Sequence, residues 1–124
     1  MRIAFAITLL CATVTVAQTS EEWKAPAEAA AKKNPISSKP ELAAGGKKIF
    51  TKTCAVCHES GSSTQKAPHL SSDAVQKESD GALFWKISNG NTRSGMPSFS
   101  SLPDTQRWQL VLYIRSLAQL PSKP

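Results

Sequence analysis

The sequence predicts a helical domain, and three stretches carry that prediction. Leu42, Gly46, Ile49 and Phe50 recur at i, i+4, i+7 and i+8, one face of a helix that Pro40 and Glu41 are suited to open. Asp80 is placed as the N-cap of a second, shorter helix that presents Leu83, Phe84 and Ile87 to the interior and ends at Asn89-Gly90. Leu110, Tyr113, Ile114 and Leu117, at i, i+3, i+4 and i+7, mark a last helix opened by Pro103-Asp104 and closed by Pro121.

Taken in order, the chain divides into residues 1–17, 18–39 and 40–124. Met1-Arg2 followed by an apolar run free of acids and bases over residues 3–16 reads as a secretory leader, cleaved after Ala17. That run is shorter than the roughly 20 residues a membrane-spanning helix needs, so no transmembrane segment is expected once the leader is gone. Cys11 leaves with it. Residues 18–39 are rich in Ala, Lys, Glu and Pro and read as a linker, with Trp23 as its one large ring, free to dock on the domain or on a partner. Ala27 and the residues up to 33 are long enough for two helical turns, marginal in isolation.

Within the first helix of the domain, Gly45 and Gly46 each cost about 0.5–1 kcal/mol relative to alanine, so something must compensate. A bare glycine surface lets another helix approach closely, and the last helix is the natural candidate. The first helix runs into Cys54-Ala55-Val56-Cys57-His58, which has the Cys-x-x-Cys-His spacing. Two thiols so placed add as thioethers across the two vinyl groups of one porphyrin, and the adjacent imidazole is then held under the iron. A bare Cys-x-x-Cys also serves redox dithiols, zinc knuckles and disulfides. His58 narrows the choice. Gly95-Met96-Pro97, 38 residues beyond His58, offers a thioether sulfur, and the only other methionine is the initiator. The two elements together read as one covalently attached haem c with His58 and Met96 on the iron. His69, a rival ligand, follows His58 too closely to cross easily to the opposite haem face.

From Gly46 to His58 the sequence GKKIFTKTCAVCH resembles the opening of class I c-type cytochromes. In that family a glycine and an aromatic of the first helix pack at right angles on a leucine and an aromatic of the last; Gly46 with Phe50 and Leu110 with Tyr113 match. The resemblance covers residues 40–120 and implies an all-α cytochrome c fold of three to five helices wrapped around one haem. It implies further that the Pro68 carbonyl of Ala67-Pro68-His69-Leu70 accepts a hydrogen bond from His58, and that Leu70 packs on the haem. The family commonly has glycine where Ala67 stands. Trp85 and Arg93 match, by neighbourhood, residues that bind haem propionates; core filler and solvated surface charge are the plainer readings. The Gly-Met-Pro loop matches the family's distal ligand loop, whose glycine and proline aim the sulfur.

The resemblance also implies export, since haem attachment in bacterial relatives takes place outside the cytoplasm; a periplasmic or otherwise exported location follows. A His/Met iron has no open position, which points to outer-sphere transfer of single electrons between redox partners and to no catalytic residues. The chain without its leader carries 14 basic and 9 acidic residues, a formal +5. Lys47, Lys48, Lys52 and Lys66 near the haem motif would steer an acidic docking surface on a redox protein, or form only the wet face of a helix. A monomer is expected. Nucleic-acid binding is not indicated, because no aromatic-interleaved basic patch is present. Two other readings stay open: a small-ligand sensor or peroxidase-like enzyme with a displaceable Met96, and a haem-free zinc or disulfide domain built on Cys54, Cys57, His58 and His69.

Overall fold

The computed structural model describes residues 22–59 and 67–119, so the leader and Pro121 lie outside the described residues. The described residues form six α-helices: α1 (Ala27–Ala30), α2 (Ala43–Thr53), α3 (Ala55–His58), α4 (Asp73–Gln76), α5 (Asp80–Asn89) and α6 (Asp104–Leu117). Among these residues the only β pairing is one isolated bridge, so the fold is all-α. None of the described helices is long and apolar enough to cross a membrane.

The first and last helices of the domain meet where the two glycines predicted it. Pro40–Leu42 makes a 3-10 turn that leads into α2, which buries Gly46 and Phe50. A methyl group on Gly46 would overlap the backbone carbonyl of Gln109, so α6 lies directly on the glycine. One turn on, the Phe50 and Tyr113 rings pack with centroids 5.1 Å apart, tilted by 53°. The core consists of Phe50, Leu83, Ile87, Trp108, Leu110, Val111 and Ile114. Trp108 and Val111, the latter at 0 % exposure, lie outside the expected α6 face. They are buried because α5 covers α6 on a second side: Phe84 stacks on Trp108 with centroids 4.0 Å apart.

Two details of α5 differ from expectation. Ser79, not Asp80, caps it, accepting a hydrogen bond from the Ala82 N–H at 3.1 Å. Asp80 is freed for Arg115 of α6, which donates to its carboxylate at 2.8 Å, to the Gln76 carbonyl at 2.9 Å and to the Glu78 carbonyl. Gly90 ends the helix as expected, at φ +66°.

The stretch read as a linker is, over residues 22–39, packed on the domain. α1 is a single turn, lodged against α5, and the Ala30 carbonyl accepts from the Ser79 hydroxyl. Asn34, 4 % exposed, donates to the Trp108 carbonyl at 3.2 Å and accepts from the Ile36 N–H at 3.0 Å. The physical reason is that an amide side chain can pair with two backbone groups at once, which composition does not reveal. Trp23 docks on the domain: its indole N–H donates to the Gly90 carbonyl at 3.0 Å, and the Lys86 ammonium lies 4.8 Å from its ring centroid.

Candidate haem-binding site

The Cys-x-x-Cys-His stretch is shaped by continuation of α2. Cys54 closes α2 with its N–H on the Phe50 carbonyl at 2.8 Å, and its own carbonyl accepts from Cys57 at 3.1 Å and His58 at 3.0 Å. Cys54 and His58 therefore stand one turn apart, on the same side of the helical axis. Cys54 is half-buried against the core, while Cys57 is exposed beside Val56, which is 68 % exposed. Both are free thiols. Burial, and secondarily the adjacent Cys57, push the Cys54 thiol up to about 11, so it is held as the un-ionised thiol.

His58 is aimed by a second segment. Its Nδ1 lies 2.9 Å from the Pro68 carbonyl, which can only accept, so the neutral ring carries its proton on Nδ1 and its lone pair on Nε2. Ala67 in place of the usual glycine does not prevent that bond. The segment is in turn pinned to α6 through Gln76, whose amide donates to the Leu70 carbonyl at 2.8 Å and to the Ile114 carbonyl at 2.9 Å. Leu70 packs against the core cluster that Cys54 also touches. Nothing in the sequence pattern signalled Gln76, since a glutamine on a short polar helix reads as solvated. Tyr113 stands nearby; burial first, and then Glu59, raise its phenol above the usual value.

Met96 belongs to a closed loop. Asn91 and Met96 exchange both backbone hydrogen bonds, at 2.9 and 3.0 Å, across a 3-10 turn at Thr92–Ser94. Gly95 takes the left-handed conformation at φ +88°, which makes the final bend available without strain. Gly90 starts the loop, also at positive φ, and a Cβ there would fall 2.5 Å from the Pro97 carbonyl. Beyond the loop, Phe99 N–H donates to Ile87 at 3.1 Å and the Ser98 hydroxyl to Ser88 at 2.6 Å, returning the chain to α5. Met96 itself is half-buried. The role of Asn91 escaped the sequence reading; the bracketing Gly90 and Gly95 were the one available sign of a closed loop.

The remaining expected residues are not drawn together by direct contact. Trp85 is half-buried outside the core cluster, and Arg93 is exposed on the 3-10 turn. Neither side chain makes a hydrogen bond among the described residues. His69 is exposed, and among the described residues no three His, Cys, Asp or Glu side chains converge to hold a metal ion. The zinc constellation of Cys54, Cys57, His58 and His69 is therefore not assembled. The donor types that haem c takes are present on two separate elements: two free thiols and an imidazole bonded to Pro68 on one turn, and a thioether on a closed loop.

Comparison with known proteins follows the same lines. A family model described as "Cytochrome C oxidase, cbb3-type, subunit III" matches residues 41–114, from the turn before α2 to a point within α6. Over 70 residues, 52 % of this chain and 75 % of the relative, the sequence is 34 % identical to "Cytochrome c6" of Cladophora glomerata. No solved structure matches.

Proposed function

The chain belongs to the class I c-type cytochromes, which makes it a haem electron carrier with redox protein partners, and we propose on that premise the following specific reading. It is exported, attaches one haem c through Cys54 and Cys57, ligates the iron with His58 and Met96, and passes single electrons by outer-sphere transfer through the haem edge. Haem c, when bound, supplies an iron that gains and loses one electron. The observation that carries the reading is the bond from His58 Nδ1 to the Pro68 carbonyl, which presents Nε2 as a free, oriented donor.

Each residue then has a defined task. The Pro68 carbonyl holds the His58 ring plane and tautomer. Met96 would give a bound haem iron its second protein ligand beside His58, which would leave no site for a substrate and no need for a catalytic base. Leu70 and the half-buried Cys54, both packed on the core, would shield a bound haem from water; a low-dielectric setting and a thioether ligand would both raise its potential. Trp85 and Arg93, whose donors are not engaged among the described residues, are assigned to the propionates. Lys47, Lys48 and Lys52 are all exposed on α2, just ahead of the thiols, and would meet an acidic docking surface on the partner. The carrier is a monomer in this reading and binds no nucleic acid.

The test is an absorption spectrum of protein produced with a haem-maturation system, oxidised and dithionite-reduced, then exposed to CO. Sharp reduced bands indifferent to CO, with a sulfur-to-ferric-iron charge-transfer band that Met96→Ala abolishes, are expected. A spectrum shifted by CO would instead indicate a ligand-binding sensor or peroxidase-like enzyme with Met96 displaced, and would sink the carrier reading.

A further inference from the structure

We propose that Trp23 is a positioning residue for Met96: the strap of residues 22–36 holds the ligand loop shut from outside the domain. This rests on Met96 being the iron ligand, as argued above. The geometry begins with the strap itself, which is anchored at two points remote from Trp23. Asn34 is buried and bonded to the Trp108 carbonyl, and the Ala30 carbonyl takes the Ser79 hydroxyl that caps α5. Between them and Trp23, Ala25 is also buried.

Those anchors fix where the Trp23 indole can reach. Its N–H donates to the carbonyl of Gly90, 67 residues away, at 3.0 Å. Gly90 is the first residue past α5, held at positive φ, and its Cα faces the Pro97 carbonyl so closely that no side chain fits. The next residue, Asn91, carries both bridge bonds to Met96. The Gly90–Asn91 peptide is therefore gripped from both sides: by the indole on its carbonyl, and by the residues Met96 and Pro97 on the loop side. The indole bond on the carbonyl of this peptide holds its N–H aimed at Met96, so losing the indole bond frees the peptide to rotate and weakens the bridge. Lys86, over the Trp23 ring and paired with Glu78, keeps the ring from sliding off along α5.

A strap that only filled space would behave differently from one that acts through its N–H. Trp23→Phe keeps an aromatic ring under Lys86 and removes the donor; Trp23→Ala removes both. In the haem-loaded full chain, the measurements are the rate of imidazole binding to the ferric protein and the amide hydrogen exchange of Asn91 and Met96. Trp23→Phe is expected to raise both by about five- to tenfold, the factor carried by one ordinary hydrogen bond. Amides of Leu110, Val111 and Ile114 should keep wild-type protection in that variant. Unchanged imidazole binding and loop exchange in Trp23→Phe, with an effect appearing only in Trp23→Ala, would show the strap to be packing alone and overturn the proposal. Uniform loss of protection through α6 would overturn it too. A wild type lacking the sulfur-to-iron charge-transfer band would fail differently, refuting Met96 ligation and this proposal together, whereas the band with an unaltered Trp23→Phe refutes the proposal only.

Discussion

Gly45 and Gly46 are adjacent in one helix, yet alanine should have opposite effects at the two positions. At either site the substitution gains about 0.5–1 kcal/mol of helix propensity. At Gly45 the new methyl meets the end of the Gln109 side chain, its amide oxygen 2.8 Å away, and that flexible group can swing aside. The net change there is a stabilisation of roughly 0–1 kcal/mol. At Gly46 the methyl meets the Gln109 backbone carbonyl, which moves only if α6 moves. A gap of about 0.5–1 Å forfeits a quarter to a half of each contact's dispersion energy, and Phe50, Leu110 and Tyr113 all lie along this contact. Overpacking costs about 1–3 kcal/mol, and a backbone oxygen only 2.0 Å from the new methyl sets this case in the upper part of that range, so after the propensity gain Gly46→Ala should lose roughly 1–2 kcal/mol. For a domain of this size that lowers the melting temperature by about 5–15 °C. Thermal unfolding of the haem-loaded protein followed by far-UV circular dichroism reads the difference. A Gly46→Ala protein that melts at or above the wild type, or a Gly45→Ala protein that falls further than it, would refute the claimed helix crossing.

Two further predictions use the same material. Asn34→Ala removes hydrogen bonds to the Trp108 carbonyl and the Ile36 N–H in a buried setting, and should lower the urea midpoint by an amount equivalent to about 1.5–3 kcal/mol with the slope unchanged; a tether free of the domain would give no change. In haem-free chain at pH 8, Cys54 has about one thiolate per thousand, given a thiol pushed up to about 11, so iodoacetamide should label exposed Cys57 at least about tenfold faster. Peptide mass spectrometry reads both sites, and in the haem-loaded chain neither should react if both are thioethers; equal labelling of the two in the haem-free chain would contradict the burial of Cys54.

What the sequence disclosed, and what it hid, follows from the range of each interaction. The glycine notch was legible because two adjacent glycines in a periodic helix are costly and imply a close neighbour; α6 lies on Gly46 as that argument required. The Cys-x-x-Cys-His motif could be singled out because its pattern is local, three donor side chains within five residues. The bond from His58 to Pro68 was reached through resemblance, since a ten-residue gap has no periodicity to read. Ser79 was passed over for Asp80 because both residue types cap helices, and only the pairing of Asp80 with Arg115, 35 residues on, decides between them. Residues 22–39 looked like a tether because they hold few apolar groups; they dock through Asn34, Trp23 and backbone carbonyls, with only Ala25 and Ile36 adding apolar contact, too few to leave a hydrophobic pattern.

The two expected axial residues are carried by unequal supports, and the inequality says where the molecule opens first. His58 ends a helical path continuous with α2, whose Phe50 is buried on α6, and its ring is tied to a segment that Gln76 fastens to Ile114. Displacing His58 therefore means disturbing the core. Met96 sits on a loop with no helical ladder, closed by two bridge bonds, two glycine bends and contacts from Trp23 and Ser98. Few buried apolar groups stand behind it, and segments of that kind open below the global unfolding free energy. In rising urea the sulfur-to-iron band should consequently fade before the helical circular dichroism falls, and the interval should narrow in Trp23→Phe only if core stability falls with it. If instead the loop alone is loosened, that interval widens, because the band is lost earlier while α2 and α6 stay paired. Coincident loss of both signals in the wild type would mean that the loop is as firmly held as the core, and that the strap has nothing left to restrain.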